Sequence, residues 1–387
     1  MRNLLETNKQ WWKDYSQKLL ILLVIFFFSF LCIEGVTRVF ICDNDLWQPD
    51  SLVGLIHISN KQGCWFGKEF KTSVTINNHG FIGDDFVTNN TKFRIVVLGD
   101  SFIEGLQVER EESFTYLLEK KLNMNNYNVE VYNFGVSDMG TAQEYEVLKN
   151  YALDYNPDMV ILGFHTRTDF IDNSLFLKKD IYRPYYIFTN ISNTSTTIVK
   201  KEFALQKIAV WKKLMSWSRF LKYYYRVMIL SIQTYITNSQ QIPPQLEIYT
   251  NYSTTFNESI QVSGEILKEM QKTALVNNAS FVVVVLTNAE QVEPTVLSNY
   301  YAHFPSLSEI NFNIQQPEEI MFNICETKNI SCFSLLPSFV EYKNKTGSQL
   351  HYYQDSHWNK VGHALAAEEV TKYIISNNLI KQDIKKD

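Results

Sequence analysis

Two hydrophobic patterns divide this chain of 387 residues. The first is an uninterrupted apolar run without charge, Leu19 to Ile33 (LLILLVIFFFSFLCI). It is shorter than the ~20 residues that span a bilayer. Beyond Glu34 and Arg38, however, Val39, Phe40 and Ile41 are again apolar, so a span over residues 19–40 is expected. Arg2, Lys9, Lys13 and Lys18 precede the run, which favours a cytoplasmic N-terminus, residues 1–18. No small-x-small cleavage site follows it, and no lipobox surrounds Cys32. The expectation is an uncleaved, single-pass signal anchor with the rest of the chain extracytoplasmic. A cleaved signal peptide and a buried core helix are the alternatives.

The second pattern begins at residue 93, where short apolar runs alternate with helical periodicity. Phe93–Leu98, Val129–Asn133, Met159–Phe164 and Phe281–Leu286 read as strands. Ser113–Leu122, Thr141–Leu153, Glu258–Asn277 and Val361–Asn377 read as helices. Strands that are apolar throughout and separated by helices predict a parallel sheet covered on both faces. Sites in such sheets lie beyond the carboxyl ends of the strands. Residues 41–91 read as a loop-rich lead-in with a turn-like cluster, Asn77-Asn78-His79-Gly80-Phe81. Residues 92–377 form the α/β domain, with a helical insertion at 174–257, and 378–387 are a polar tail.

Within the insertion, Lys200–Arg226 is basic and aromatic, with Lys207, Trp211, Lys212, Lys213, Trp217 and Tyr223–Tyr225 among its residues. It reads as a helical cap over the site with a solvated basic face, or as a helix resting on an anionic membrane surface. The net charge of −5 is mild and carries no nucleic-acid footprint.

Four cysteines, Cys42, Cys64, Cys325 and Cys332, would lie outside the cytoplasm, where disulfides are permitted. Cys325 with Cys332 closes the shortest loop, and free thiols are equally compatible. Asn-x-Ser/Thr triplets at Asn89, Asn190, Asn193, Asn251, Asn257, Asn278, Asn329 and Asn344 suit an exported domain without establishing glycosylation. No phosphate-binding glycine loop and no carboxylate–histidine metal cluster is legible, so no cofactor or metal is expected.

The chemistry-bearing residues are Ser101, Asp355 and His357. Ser101 follows the first strand directly and opens a helix, which exposes a hydroxyl near backbone N–H donors; a helix-capping serine is the simpler alternative. Asp355 and His357, two apart in an extended segment, would share a face. The aspartate could then hold one imidazole nitrogen and leave the other for a serine. Asn359 is a natural cap for the closing helix. His363, on that helix, is expected at the surface, and His79 and His303 in loops. His351 and His165 are candidates to border the cleft.

Gly99-Asp100-Ser101-Phe102, with Glu104–Val108 after it, resembles the first block of the SGNH (GDSL-type) hydrolases. Asn133–Thr141 resembles the second block, and Asp355-Ser356-His357 the last. The resemblance runs from about residue 93 to 375, in the family's order. It implies a flavodoxin-like three-layer α/β/α fold. It also implies a serine esterase with Ser101 as nucleophile, His357 as base and Asp355 as orienter. Gly135 matches the glycine that lends an oxyanion-hole N–H beside that of Ser101. Two departures stand out. The third block should carry Gly-Asn-Asp, but this chain has Arg167-Thr168-Asp169, which puts Thr168 where the oxyanion asparagine belongs. The last block has one residue between aspartate and histidine rather than two, a form resembling the branch of polysaccharide O-acetyltransferases. Asp100, Arg167 and His165 are the candidates for touching substrate, an acylated glycan or lipid-like ester. The competing readings are an O-acyltransferase acting on a surface polysaccharide and a catalytically degenerate binding domain.

Overall fold

The computed structural model describes residues 2–87, 92–192, 195–204, 217–236, 244–310 and 312–380. They fall into two compact units, one drawn from Met1–Asp45 and Ile208–Ser239, the other from Leu46–Lys207 and Gln240–Asp387.

In the larger unit, the lead-in is not the loop-rich segment expected. It folds as two antiparallel hairpins, β1 (Trp47–Asp50) with β2 (Gly54–His57) and β3 (Gln62–Phe66) with β4 (Lys71–Thr75). Strands of four or five residues are too short to show their period against the surrounding turns. Their core is nevertheless real: Val74 and Ile76 are buried with Leu46 and Leu106.

Three strands follow, β5 (Phe93–Gly99), β6 (Val129–Gly135) and β7 (Met159–Phe164). The insertion opens on a short helix, Leu175–Lys178, and continues as an antiparallel hairpin, β8 (Tyr185–Ser192) with β9 (Ser195–Lys201). Tyr, Ile, Phe, Thr and Val dominate it, residues that suit a pleated, half-buried surface. Then come β10 (Ser280–Val285) and β11 (Ser331–Ser334). The five strands β11-β10-β7-β5-β6 form one wholly parallel sheet. Numbered among themselves, they run 2-1-3-4-5 from β6 to β11, the flavodoxin-like order.

Alternation along each strand feeds two separate cores. Val96, Leu98, Val160, Leu162, Val283 and Val285 pack toward the helices Thr141–Asn150 and Thr254–Val276. Ile95, Val97, Met159, Ile161, Val282 and Val284 pack toward Phe114–Met124 and Lys360–Ser376. The result is a three-layer α/β/α domain, as the SGNH resemblance implies. A disulfide between Cys325 and Cys332 ties the helix Gln316–Lys328 to β11. The order reverses between β5 and β7, so the switch-point crevice opens beside Ser101.

The smaller unit holds the N-terminal helix Arg2–Phe40 and the insertion's helix Arg219–Ile236. The stretch Trp12–Phe40 is long and apolar enough to cross a membrane. Near its end, the Glu34 carboxylate accepts from Ser218 Oγ at 2.6 Å, Arg219 N at 3.0 Å and Phe220 N at 3.2 Å, and pairs with Arg38 at 2.7 Å. An acidic side chain thus caps the N-terminus of the second helix. Phe30 and Phe220 meet edge to face just beyond. Lys207, Trp211, Lys212 and Lys213, the triplet asparagines Asn89 and Asn193, and the tail beyond residue 380 lie outside the described residues.

Candidate active site

Asp100 caps the short helix Ser101–Glu104, its Oδ1 accepting from Phe102 N at 2.9 Å. The cap turns the chain sharply out of β5 and leaves Ser101 as the first helical residue, whose N–H has no intrahelical partner. Across the crevice, Ser101 Oγ lies 2.7 Å from His357 Nε2, and His357 Nδ1 lies 2.6 Å from Asp355 Oδ1. An ionised carboxylate only accepts, so Nδ1 carries the ring proton and Nε2 accepts from the serine hydroxyl. Burial on its own lowers the imidazole's affinity for a proton. The hydrogen bond and charge of Asp355, with Asp100 and Glu104 behind, outweigh it and hold His357 above its ordinary value.

Asp355 and His357 do meet, but not through an extended segment. Ser356 adopts φ +69°, a left-handed conformation, and Tyr352 N donates to His357 O at 2.8 Å. The chain therefore folds back on itself and brings both side chains to one side. Trp358 is fully buried beneath them, with its indole N–H on Thr287 Oγ1 at 2.9 Å. Asn359 caps the closing helix through Val361 N and Gly362 N.

At Gly135 the structure shows a bonded amide and a packing role. Its N–H donates to Asn133 Oδ1 at 2.8 Å, so the amide is already occupied. What the position requires is space: a Cβ there would lie 2.3 Å from Glu104 N, in the backbone of the helix that Ser101 opens. We expect Gly135→Ala to force that helix off β6, lowering thermal stability by about 1–3 kcal/mol and displacing Ser101. A melting curve together with an esterase assay would measure both effects.

Thr168 Oγ1 lies 2.7 Å from His165 Nδ1 and 3.4 Å from Asp100 Oδ2, while His165 Nδ1 is 3.3 Å from that same oxygen. Asp100 and His165 are thus buried and turned on each other rather than toward a ligand. Burial would raise Asp100, but the hydrogen bond and charge of His165, with Phe102 N–H and His357, bring it below the usual carboxylate range. Behind it, Glu144 and Asp169 are pushed well above that range, first by burial and then by neighbouring carboxylates, Asp100 and Asp172 for Glu144 and Glu144 and Asp100 for Asp169. Arg167 keeps 23% of its side-chain surface; it pairs with the buried Glu290 at 3.3 Å and lies over the Tyr300 ring.

His363 is not at the surface. It is buried between helices, its Nδ1 accepting from Phe114 N at 3.2 Å, and burial with the nearby His357 and His351 lowers it to about 3. His351 is also buried, against Thr287, and does not reach the crevice as an open side chain.

Two contacts had no signal in the sequence. His57, from β2, meets Glu104 at 2.6 Å and Gly80 O at 3.0 Å, with both side chains fully buried. Glu104 also accepts from Ser137 Oγ. The Glu69 carboxylate accepts from the backbone around Asp355. Among the described residues, no group of three or more His, Cys, Asp or Glu is arranged to hold a metal ion.

No family model matches the chain, and no curated protein matches it. Among solved structures, the acetyl xylan esterase AlAXEase aligns over 73% of this chain and 99% of its own, at 12% identity and a TM-score of 0.40. The psychrotrophic esterase EstA from Pseudoalteromonas sp. aligns over 75% of this chain and 100% of its own, at 12% identity and a TM-score of 0.39. A lipase/acylhydrolase from Enterococcus faecalis aligns over 75% of this chain and 98% of its own, at 13% identity and a TM-score of 0.36. Likenesses this distant carry no weight for the chemistry, which rests on the chain's own geometry.

Proposed function

We propose that this chain is a membrane-anchored, extracytoplasmic serine esterase of the SGNH type. The observation that carries the proposal is the continuous relay Ser101–His357–Asp355, at 2.7 and 2.6 Å. In this reading Ser101 Oγ attacks the acyl carbon and passes its proton to His357 Nε2. The ester C–O bond then breaks, and His357 returns that proton to the departing alcohol. His357 next takes a proton from the water that attacks the acyl-serine, the acyl C–Oγ bond breaks, and His357 returns that proton to Ser101 Oγ as the acid leaves. Asp355 keeps Nδ1 protonated throughout. The Ser101 N–H and the Thr168 hydroxyl are the donors offered to the developing oxyanion. Gly135 joins them only if Asn133 releases its amide. Arg167, the most exposed of the three substrate candidates, faces an acylated glycan or lipid-like ester.

The anchor is the apolar helix ending at Phe40, oriented by the lysines before it. Glu34 stands six residues before that end, about 9 Å along the helix axis. Because Glu34 caps the helix Arg219–Ile236, that helix begins at headgroup depth. Trp217 and Tyr224, 74% and 61% exposed, suit that zone. This supports the membrane-surface reading of that helix.

The test uses the full chain in detergent with p-nitrophenyl acetate and a fluorophosphonate probe, beside Ser101→Ala. We expect hydrolysis and labelling, both lost in the variant. Labelling and hydrolysis that are equal in the two proteins, or absent from folded parent, would sink the proposal. Acyl transfer to an added oligosaccharide in preference to water would move the reading to the transferase.

A further inference from the structure

The turn that carries Asp355 is exposed and short, and its geometry decides whether the carboxylate reaches His357. Three consecutive backbone N–H groups in it, those of Tyr353, Gln354 and Asp355, point at one carboxylate from elsewhere in the chain. Glu69 accepts from them at 2.9, 2.7 and 3.1 Å. Successive amides of this kind form an anion-binding concavity, and a carboxylate that fills it fixes several backbone dihedrals at once. Glu69 sits in the loop between β3 and β4. Its neighbour Phe70 packs on Tyr352 at 5.2 Å, and the Tyr352 hydroxyl donates to Gln107 O at 3.0 Å. The same hairpin is tied to the nucleophile's side of the crevice. Thr72 Oγ1 donates to Leu106 O at 2.6 Å, and Glu109 accepts from Ser73 N at 3.1 Å. His57, from the first hairpin, adds its buried bond to Glu104, three residues after Ser101.

We infer that the lead-in is a working part of the active site, and that Glu69 is the positioning residue that holds Asp355 in line with His357. The inference rests on the esterase reading above. Glu69 does not touch the reacting atoms. It removes the freedom of a turn already committed to a left-handed residue at Ser356, so that the Asp355 carboxylate stays on Nδ1. Without it the three amides turn to water, the turn samples other conformations, and the Asp355–His357 bond is made only part of the time. A small misplacement of a catalytic group costs far more in rate than in stability.

The experiment measures kcat, KM and the pH profile of kcat/KM for p-nitrophenyl acetate on the full chain in detergent. The proteins are the parent, Glu69→Ala, Glu69→Gln and Ser101→Ala, each with a melting curve. The charged groups acting on His357 are Asp355, Asp100 and Glu104, none of which is altered. Glu69→Ala is expected to lower kcat about 10- to 100-fold with KM within about twofold of the parent. It should also move the acid limb of kcat/KM to lower pH, because Asp355 then raises His357 less. Glu69→Gln keeps one acceptor oxygen, enough for Gln354 N and Asp355 N, but sets an NH₂ group against Tyr353 N, so it should recover part of kcat. The inference is overturned if both variants keep the parent's kcat and acid limb. It is equally overturned if activity falls only in step with the folded fraction. Turnover that survives in Ser101→Ala would instead overturn the esterase reading, independently of Glu69.

Discussion

His357→Ala is expected to lower kcat for p-nitrophenyl acetate by more than about four orders of magnitude, with little change in KM. A serine hydroxyl at neutral pH is a weak nucleophile until a base takes its proton as the new bond forms. In the proposed mechanism that base is His357 Nε2, which lies 2.7 Å from Ser101 Oγ. No neighbouring histidine can replace it. His165 is bound to Thr168 and faces Asp100, on the far side of the helix cap. His363 spends Nδ1 on Phe114 N and, at about 3, is too weak a base. The pH profile gives a second readout. His357 must be neutral to accept the proton, and its surroundings hold it above the ordinary imidazole value of about 6.5. Parent kcat/KM should therefore rise with pH through a midpoint above ~6.5. In His357→Ala that limb should disappear along with the rate. Steady-state kinetics from pH 5 to 9, on protein shown to be folded, would decide it. A variant retaining a tenth of the parent rate with the same limb would remove His357 from the mechanism.

How far the sequence reaches depends on what each residue interacts with. The strands β5, β7 and β10 are buried on both faces over most of their length, so they are largely apolar and stand out; β6, at one edge, shows a shorter signal broken by Glu130 and Asn133. β11 lies at the sheet's edge, four residues beginning and ending in serine, and offers no such run. Ser101 is legible because its work is local: a strand end, a turn and a helix start, all within a few residues. Asp355 and His357 were legible as a pair, though the left-handed backbone at Ser356 that joins them was not, since serine has no special preference for it. Gly135 was legible only through the resemblance, as a match to the oxyanion-hole glycine. Its reason, close approach of the Glu104 backbone, belongs to packing that only the folded chain reveals. His57 and Glu69 were illegible for the same cause. Their partners lie 47 and 284–286 residues away, and a single histidine or glutamate in a short hairpin carries no periodic or motif signal. Asp100 shows the converse. A carboxylate beside the nucleophile suggests contact with substrate, but the fold uses it as a helix cap and as the partner of His165.

Asp355→Asn should cost nearly as much as removing the base, about 10⁴ in kcat, although it changes neither the size nor the shape of the side chain. The aspartate accepts from His357 Nδ1–H at 2.6 Å, which leaves the Nε2 lone pair facing Ser101 Oγ. An asparagine amide can present its NH₂ group instead. The imidazole then accepts at Nδ1, carries its proton on Nε2 and donates to the serine, so the hydroxyl has no base. The variant also removes the charge that stabilises the imidazolium formed as the serine is deprotonated. Both losses fall on the transition state rather than on substrate binding, so KM should stay close to the parent's. Burial, no longer opposed by Asp355, should carry the imidazole's pKa downward, and the residual acid limb should move to lower pH with it. Glu69 still bonds the turn's backbone in this variant, so its fold and melting temperature should be those of the parent. That separates it from Glu69→Ala, which disturbs the turn and keeps the carboxylate. If Asp355→Asn retained more than about a tenth of the parent rate, the aspartate would be a structural partner of His357, and another group would have to fix its tautomer.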